Sequence, residues 1–170
     1  VNFELVKTYD SLLGLLEGEA GHYRSLLSVL EGEKKAIVES NLGDLGETGK
    51  EKEALLSKIR IIEEQRQSMI ENLAESLGCS PHDLTITTLA ELVEEPYSAR
   101  FNSLCSDLLP LAKTVHDAND ANKALLRHSV ELIKSSFAFL NNLITANVVY
   151  YRSGRMRQND QSGKVLCGSI

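Results

Sequence analysis

FNSLCSDLLPLAKTVHDANDANKALLRHSVELIKSSFAFLNNLITANVVY, residues 101–150, decides how this chain folds. From Phe101 the steps alternate three and four through Leu104, Leu108, Leu111, Val115, Ala118, Asn122, Leu125, Ser129, Leu132, Ser136, Phe139, Leu143, Ala146 and Tyr150. An α-helix turns once in about 3.6 residues, so this alternation keeps all of these side chains on one seam. That is the pattern of coiled-coil and bundle packing. A helix of such length must bury its seam against other helices, and the preceding sequence supplies them.

Residues 2–40 predict a first long helix with its seam at Leu5, Tyr9, Leu12, Leu16, Glu19, Tyr23, Leu26, Leu30, Glu33 and Ile37. Leu13, Leu27 and Val38 widen the stripe, while Glu19 and Glu33 interrupt it. Gly14, Gly18, Gly21 and Gly32 each cost about 1 kcal/mol relative to alanine inside a helix, so packing must hold this element together. The glycine-rich stretch 41–49 reads as a turn, with Asp44 or Thr48 as the cap of a second helix. That helix runs to about Leu77 on a seam of Leu55, Ile59, Ile62, Arg66, Met69 and Leu73. Leu56, Ile70 and Leu77 lie beside the seam, and Gly78 stops the helix. Residues 79–95 predict a structured crossover, with a helix-start signal at 80–83 and a short turn of helix from Leu89 to Val93. The third long helix should begin near Pro96 and reach about Arg152, with a kink near Leu109 because Pro110 removes an amide donor. The expected fold is therefore all-α: an elongated antiparallel helical bundle or coiled coil of three long helices, with a short helical crossover between the second and third. Residues 1–152 form the bundle and 153–170 a flexible tail.

Composition narrows the function. Lysine and arginine number 18 against 24 aspartates and glutamates, a net charge of −6. That disfavours nucleic-acid binding, which draws its affinity from cations near phosphates. The 3 cysteines, Cys79, Cys105 and Cys167, show neither a disulfide framework nor zinc spacing, so a reduced cytosol is the expected compartment. Apolar runs fall short of the roughly 20 residues of a membrane span, and no charged leader with a cleavable apolar run opens the sequence. Gly46–Lys50 imitates a phosphate loop, yet Asp44 and Glu51 stand where glycine and Ser or Thr are required. A di-iron bundle uses two Glu-x-x-His motifs, and only Glu19 and His22 have that spacing. No electropositive niche marks a reactive cysteine. We therefore expect no catalysis, no metal and no cofactor.

Three features remain. Asn119, Asn122, Ser129 and Ser136 lie on or beside the third helix's seam, where they either fix register or face a wet groove. Arg66 on the second seam is expected to snorkel rather than form a specific ion pair. Beyond Ser129 the apolar face of the third helix broadens through Val130, Leu132, Ile133, Phe137, Phe139, Leu140, Leu143, Ile144, Val148 and Val149. At about 1.5 Å per residue, the third helix should outrun the other two by some 25 Å. Leaving Phe137, Phe139, Leu140, Leu143, Ile144 and Val148 in water would forfeit on the order of 10 kcal/mol, so a partner is expected there unless the helix ends early or folds back.

The same segments carry a family resemblance. Asn119-x-x-Asn122-x-x-Leu125-Leu126-x-x-Ser129, followed by an apolar helix ending near Tyr151 and Gly154, resembles the FlgN family of flagellar export chaperones. Leu15-Leu16-Glu17-x-Glu19, Tyr23-x-x-Leu26-Leu27, Asn41-Leu42, and Lys52-Glu53-x-Leu55-Leu56 followed by Arg66 agree in order and spacing. Gly43, Gly46, Gly49 and Pro110 depart from the family pattern. The resemblance implies a cytoplasmic chaperone of flagellar type III export. It would hold hook–filament junction (hook-associated) proteins unpolymerised and meet the export gate. The resemblance also implies that the C-terminal segment carries much of the cargo contact, in agreement with the broad apolar face, and the expected partner-binding residues are Phe137, Phe139, Leu140, Leu143, Ile144, Val148, Tyr150, Tyr151, Arg152, Arg155 and Arg157. The competing expectation is a structural coiled-coil adaptor, a homodimer sealed through the end of the third helix.

Overall fold

Three residues, Glu39 to Asn41, reverse the chain between the first two helices in the computed structural model, which describes residues 3–145. Helix α1 spans Phe3–Val38 and α2 spans Leu42–Leu77. A short α3 at Ile86–Leu92 and a long α4 at Tyr97–Thr145 complete the order, and no strand occurs among the described residues. The chain resolves into two units that divide α4 between Leu126 and Arg127. The expected boundary between bundle and tail, at 152/153, lies outside the described residues.

The turn corrects the reading of 41–49. Glycines at 43, 46 and 49 suggested a loop there, but all three are helical within α2. Reversal is achieved one step earlier. Ser40 takes a left-handed φ of 55°, its N–H donates to Ile37 O, and the Asn41 N–H donates to Ala36 O. That is a Schellman ending to α1. Asn41 then caps α2, its Oδ1 accepting from the Gly43 and Asp44 amides at 3.1 and 3.2 Å. Asp44 and Thr48, the expected caps, are inside the helix, where the Thr48 hydroxyl donates back to the Asp44 and Leu45 carbonyls. At the other end Gly78, φ 69°, closes α2 as expected, with Cys79 N–H donating to Ala74 O.

The helix-start signal at 80–83 makes only a turn, with Asp83 N–H on Ser80 O. Thr85 is the true cap of α3, its Oγ1 accepting from the Thr88 amide. The Ser98 hydroxyl donates to Ala90 O at 2.7 Å and ties the crossover to the start of α4. Helix α4 runs unbroken through Pro110. Proline removes the amide that would meet the Ser106 carbonyl. Both residues are exposed, so water can take its place.

Contacts give the direction of each helix. Glu33 meets Lys52 and Glu19 meets Arg66, so numbers rise on α1 as they fall on α2, and the two helices are antiparallel. Asp10 meets Arg100, and Glu33 meets Asn122, so α4 runs parallel to α1 over this stretch. The core lies in two apolar blocks. One gathers Leu12, Leu13, Leu16, Ile70, Leu73 and Ala74 with Leu84, Leu89, Ala90 and Phe101. The other holds Leu26, Leu30, Ile59 and Val115. Tyr9 stacks obliquely on Tyr97 and edge-on to Phe101 at the first block. The seam residues of α1 from Leu12 to Ile37 are buried or half-buried as expected, whereas Val38, Leu56 and Leu77 are exposed. Those three sit at or past the edge of the stripe that faces the neighbouring helices.

Candidate functional site

Polar side chains on the seams form two layers, Glu19 with Arg66 between the apolar blocks and Glu33 with Lys52 and Asn122 past the second block, and they set the register of α1 against α2 and α4. Glu19, only 5% exposed, holds Arg66 Nε at 3.4 Å through Oε2 and accepts from the Tyr23 hydroxyl through Oε1 at 3.2 Å. The expectation that Arg66 would snorkel is thus corrected: with a buried carboxylate opposite, its guanidinium pairs instead. The alignment is imperfect, because Nε is buried with no hydrogen-bond acceptor. Burial and the negative charges of Glu19 and Glu63 push the Tyr23 hydroxyl up to about 12.

Two heptads further along, Glu33 receives Lys52 Nζ on both oxygens, at 3.1 and 3.2 Å. Asn122 Nδ2 donates to Glu33 Oε2 at 2.8 Å and to Leu30 O at 2.7 Å. With Asn122 3% exposed, the register role holds for this residue. Asn119 is half-buried beside a cleft, and Ser136 is exposed, its hydroxyl donating to Leu132 O. Lys52 was missed from the sequence. The signal was present: Glu19 and Glu33 stand fourteen residues apart on one seam, as do Lys52 and Arg66 on the other. Matching opposite charges at equal spacing on antiparallel helices are placed to pair.

The remaining candidate residues lie in the second unit. Seam positions of α4 are buried or half-buried from Phe101 through Ser129. Every side chain from Val130 to Ile144 is exposed. Phe137 is 66% exposed, Phe139 64%, Leu140 52%, Leu143 51% and Ile144 73%. At about 100° per residue, Val130, Ile133, Phe137, Leu140 and Ile144 form one stripe. Leu132, Phe139 and Leu143 form a second beside it. Together they cover roughly half the circumference, and Glu131, Lys134, Ser135, Asn141 and Asn142 occupy the other half. None of these apolar side chains belongs to either core block. Of the eleven partner-binding residues expected, five are therefore brought together on one face. Val148, Tyr150, Tyr151, Arg152, Arg155 and Arg157 lie outside the described residues.

Among the described residues no group of three His, Cys, Asp or Glu side chains is gathered for a metal. No helix among them is long and apolar enough to cross a membrane. Cys79 and Cys105 are free thiols.

Comparison with known proteins adds one match. The family model described as FlgN protein matches residues 8–158, most of the chain. No curated protein and no solved structure matches. The matched span takes in the α1–α2 turn, both polar seam layers and the whole exposed apolar face of α4. This match, spanning most of its length, shows that the chain belongs to the FlgN family.

Proposed function

We propose that this chain is a cytoplasmic flagellar type III export chaperone that binds hook–filament junction proteins and keeps them unpolymerised until export. Family membership supports a chaperone of flagellar export rather than an enzyme. The observation that carries the binding site is the half-cylinder of uncovered apolar side chains from Val130 to Ile144. A contiguous apolar surface of this kind marks an interaction site, because leaving it wet is costly.

The capture mode is helix against helix. The terminal region of an unassembled cargo supplies an amphipathic segment whose apolar face covers Phe139, Leu143 and Ile144. The polar half of α4, with Glu131 and Lys134, stays in water. Arg152, Arg155 and Arg157 meet acidic groups on the cargo, and the same surface later hands the complex to the export gate. Ordering a flexible cargo end costs several kcal/mol, which keeps affinity moderate and permits release without nucleotide.

Calorimetry with a junction protein tests this reading. Removing residues after Asn141 should abolish cargo binding while circular dichroism reports an intact bundle. Cargo affinity unchanged by the truncation refutes the proposal. A tight dimer of the free chain, sealed through the same face, would favour the adaptor instead.

A further inference from the structure

The apolar face of α4 is bordered differently along its two edges, and the difference bears on what can cover it. At about 100° per residue, Arg127 and Lys134 fall in one row beside Val130. His128, Ser135 and Asn142 fall in the row beside Phe139, on the opposite edge. Both cations are exposed, and neither side chain forms an ion pair or a hydrogen bond among the described residues. In the first unit, by contrast, Lys52, Arg66 and Arg100 each meet a carboxylate of α1.

Charge is divided along the chain in the same sense. Residues 127–170, the second unit, hold six lysines and arginines against Glu131 and Asp160, a net charge of +4. The first unit holds the other 12 against 22 aspartates and glutamates, a net charge of −10 within the chain's total of −6. Charged positions flanking an apolar seam are those that select a partner in helix pairs. A second copy does not supply the match. An antiparallel pair sets the Arg127 row against its own symmetry mate, and a parallel pair sets it against His128, Ser135 and Asn142. Neither arrangement brings a carboxylate to that edge. Residues 146–170 carry four cations and one carboxylate, so the chain's own end is repelled from it as well.

We propose that this face takes an amphipathic helix that carries carboxylates seven residues apart along one edge of its apolar stripe, placed to meet Arg127 and Lys134. This specificity rests on the reading of Val130 to Ile144 as the cargo site, and it selects cargo segments with an acidic flank. A helix satisfies its own amides, which an extended segment would leave unpaired against Phe137 and Leu140. The Ser136 hydroxyl, between the two apolar stripes, already donates to Leu132 O, so covering it strands no donor.

Fluorescence anisotropy with the full chain tests this, using labelled helical peptides of about eighteen residues, the length of 127–144. Each peptide has a leucine stripe with two glutamates, two glutamines or two lysines along one edge at a seven-residue spacing, and both edges are sampled. The best glutamate peptide should bind about fivefold more tightly than its glutamine counterpart, because exposed pairs are individually weak. The lysine peptide should bind more weakly still. That preference should vanish in Arg127→Gln/Lys134→Gln and at about 1 M salt, and should reverse towards lysine in Arg127→Glu/Lys134→Glu. Phe139→Ser/Leu143→Ser should abolish binding of every peptide. Equal binding of the three peptides, lost in Phe139→Ser/Leu143→Ser, overturns the acidic edge and leaves the cargo face intact. Binding indifferent to Phe139→Ser/Leu143→Ser removes the cargo face itself, and the acidic edge with it. No preference among peptides, with sedimentation on phosphatidylglycerol but not phosphatidylcholine vesicles, overturns the proposal in favour of an anionic membrane surface. A tight dimer abolished by Phe139→Ser/Leu143→Ser overturns it in favour of a second copy.

Discussion

Asn122 and Glu33 illustrate how single polar side chains govern packing. A buried amide that donates to a carboxylate and to a helix carbonyl is satisfied only in one alignment of α4 on α1. Sliding α4 by a turn would strand the amide and leave the Glu33 carboxylate with Lys52 alone. Asn122→Ala should cost about 1–3 kcal/mol in urea denaturation. Asn122→Asp should cost more at neutral pH, since it sets a second carboxylate against Glu33; equal losses for the two would remove the register argument. Tyr23 gives a pH signature. Its hydroxyl is raised from 10.0 to about 12, so the folded state holds this proton more tightly than the unfolded state. The stability it contributes is complete below pH 10 and is lost as pH climbs from about 10 through about 12. Denaturation midpoints of Tyr23→Phe should therefore fall less steeply than those of the parent across that window.

At the scale of elements, the α1–α2 turn shows local chemistry overriding a compositional cue. The seam of α2 extends backwards from Leu55 through Lys52 to Thr48 and Leu45, all half-buried, which requires the glycine-bearing segment to be helical. Gly43, Gly46 and Gly49 weaken the helix but do not end it, because packing outweighs about 1 kcal/mol per glycine. The left-handed position falls instead on Ser40. A side chain there is strained where glycine would not be. Ser40→Gly should raise stability by about 0.5–1 kcal/mol, read as a higher midpoint with an unchanged denaturant slope. A loss of stability would mean that the serine makes a contribution its backbone geometry does not reveal. The crossover obeys the same logic: Thr85 won the cap over residues 80–83 because its hydroxyl reaches the Thr88 amide while Leu89 and Ala90 enter the core.

For the whole molecule, the two apolar faces have opposite energetic roles. The core blocks hold the first unit, and Leu12, Leu16, Leu73 and Phe101 are essentially sealed. The face from Val130 to Ile144 contributes little to folding because it gains nothing by being left in water. Phe139→Ser/Leu143→Ser should therefore leave the unfolding free energy within about 0.5 kcal/mol of the parent, as exposed substitutions usually do. The same change should suppress any self-association seen by light scattering. A loss of several kcal/mol would show that these side chains are sheltered in solution and would remove the basis of the cargo site.

By itself the sequence determined the helical class, the seams, the stop at Gly78 and the broad face on α4, because each follows from periodicity or backbone chemistry within one element. It also located five of the expected partner-binding residues on a single face, since positions on one helix have fixed angular relations. Only the tertiary structure decided that Glu19 and Glu33 are paired rather than disruptive, and that Arg66 is an ion-pair partner. Those facts depend on which residues of different helices meet. Periodicity within each helix leaves that open, since it specifies which face is buried but not the register or spacing of the helices that bury it.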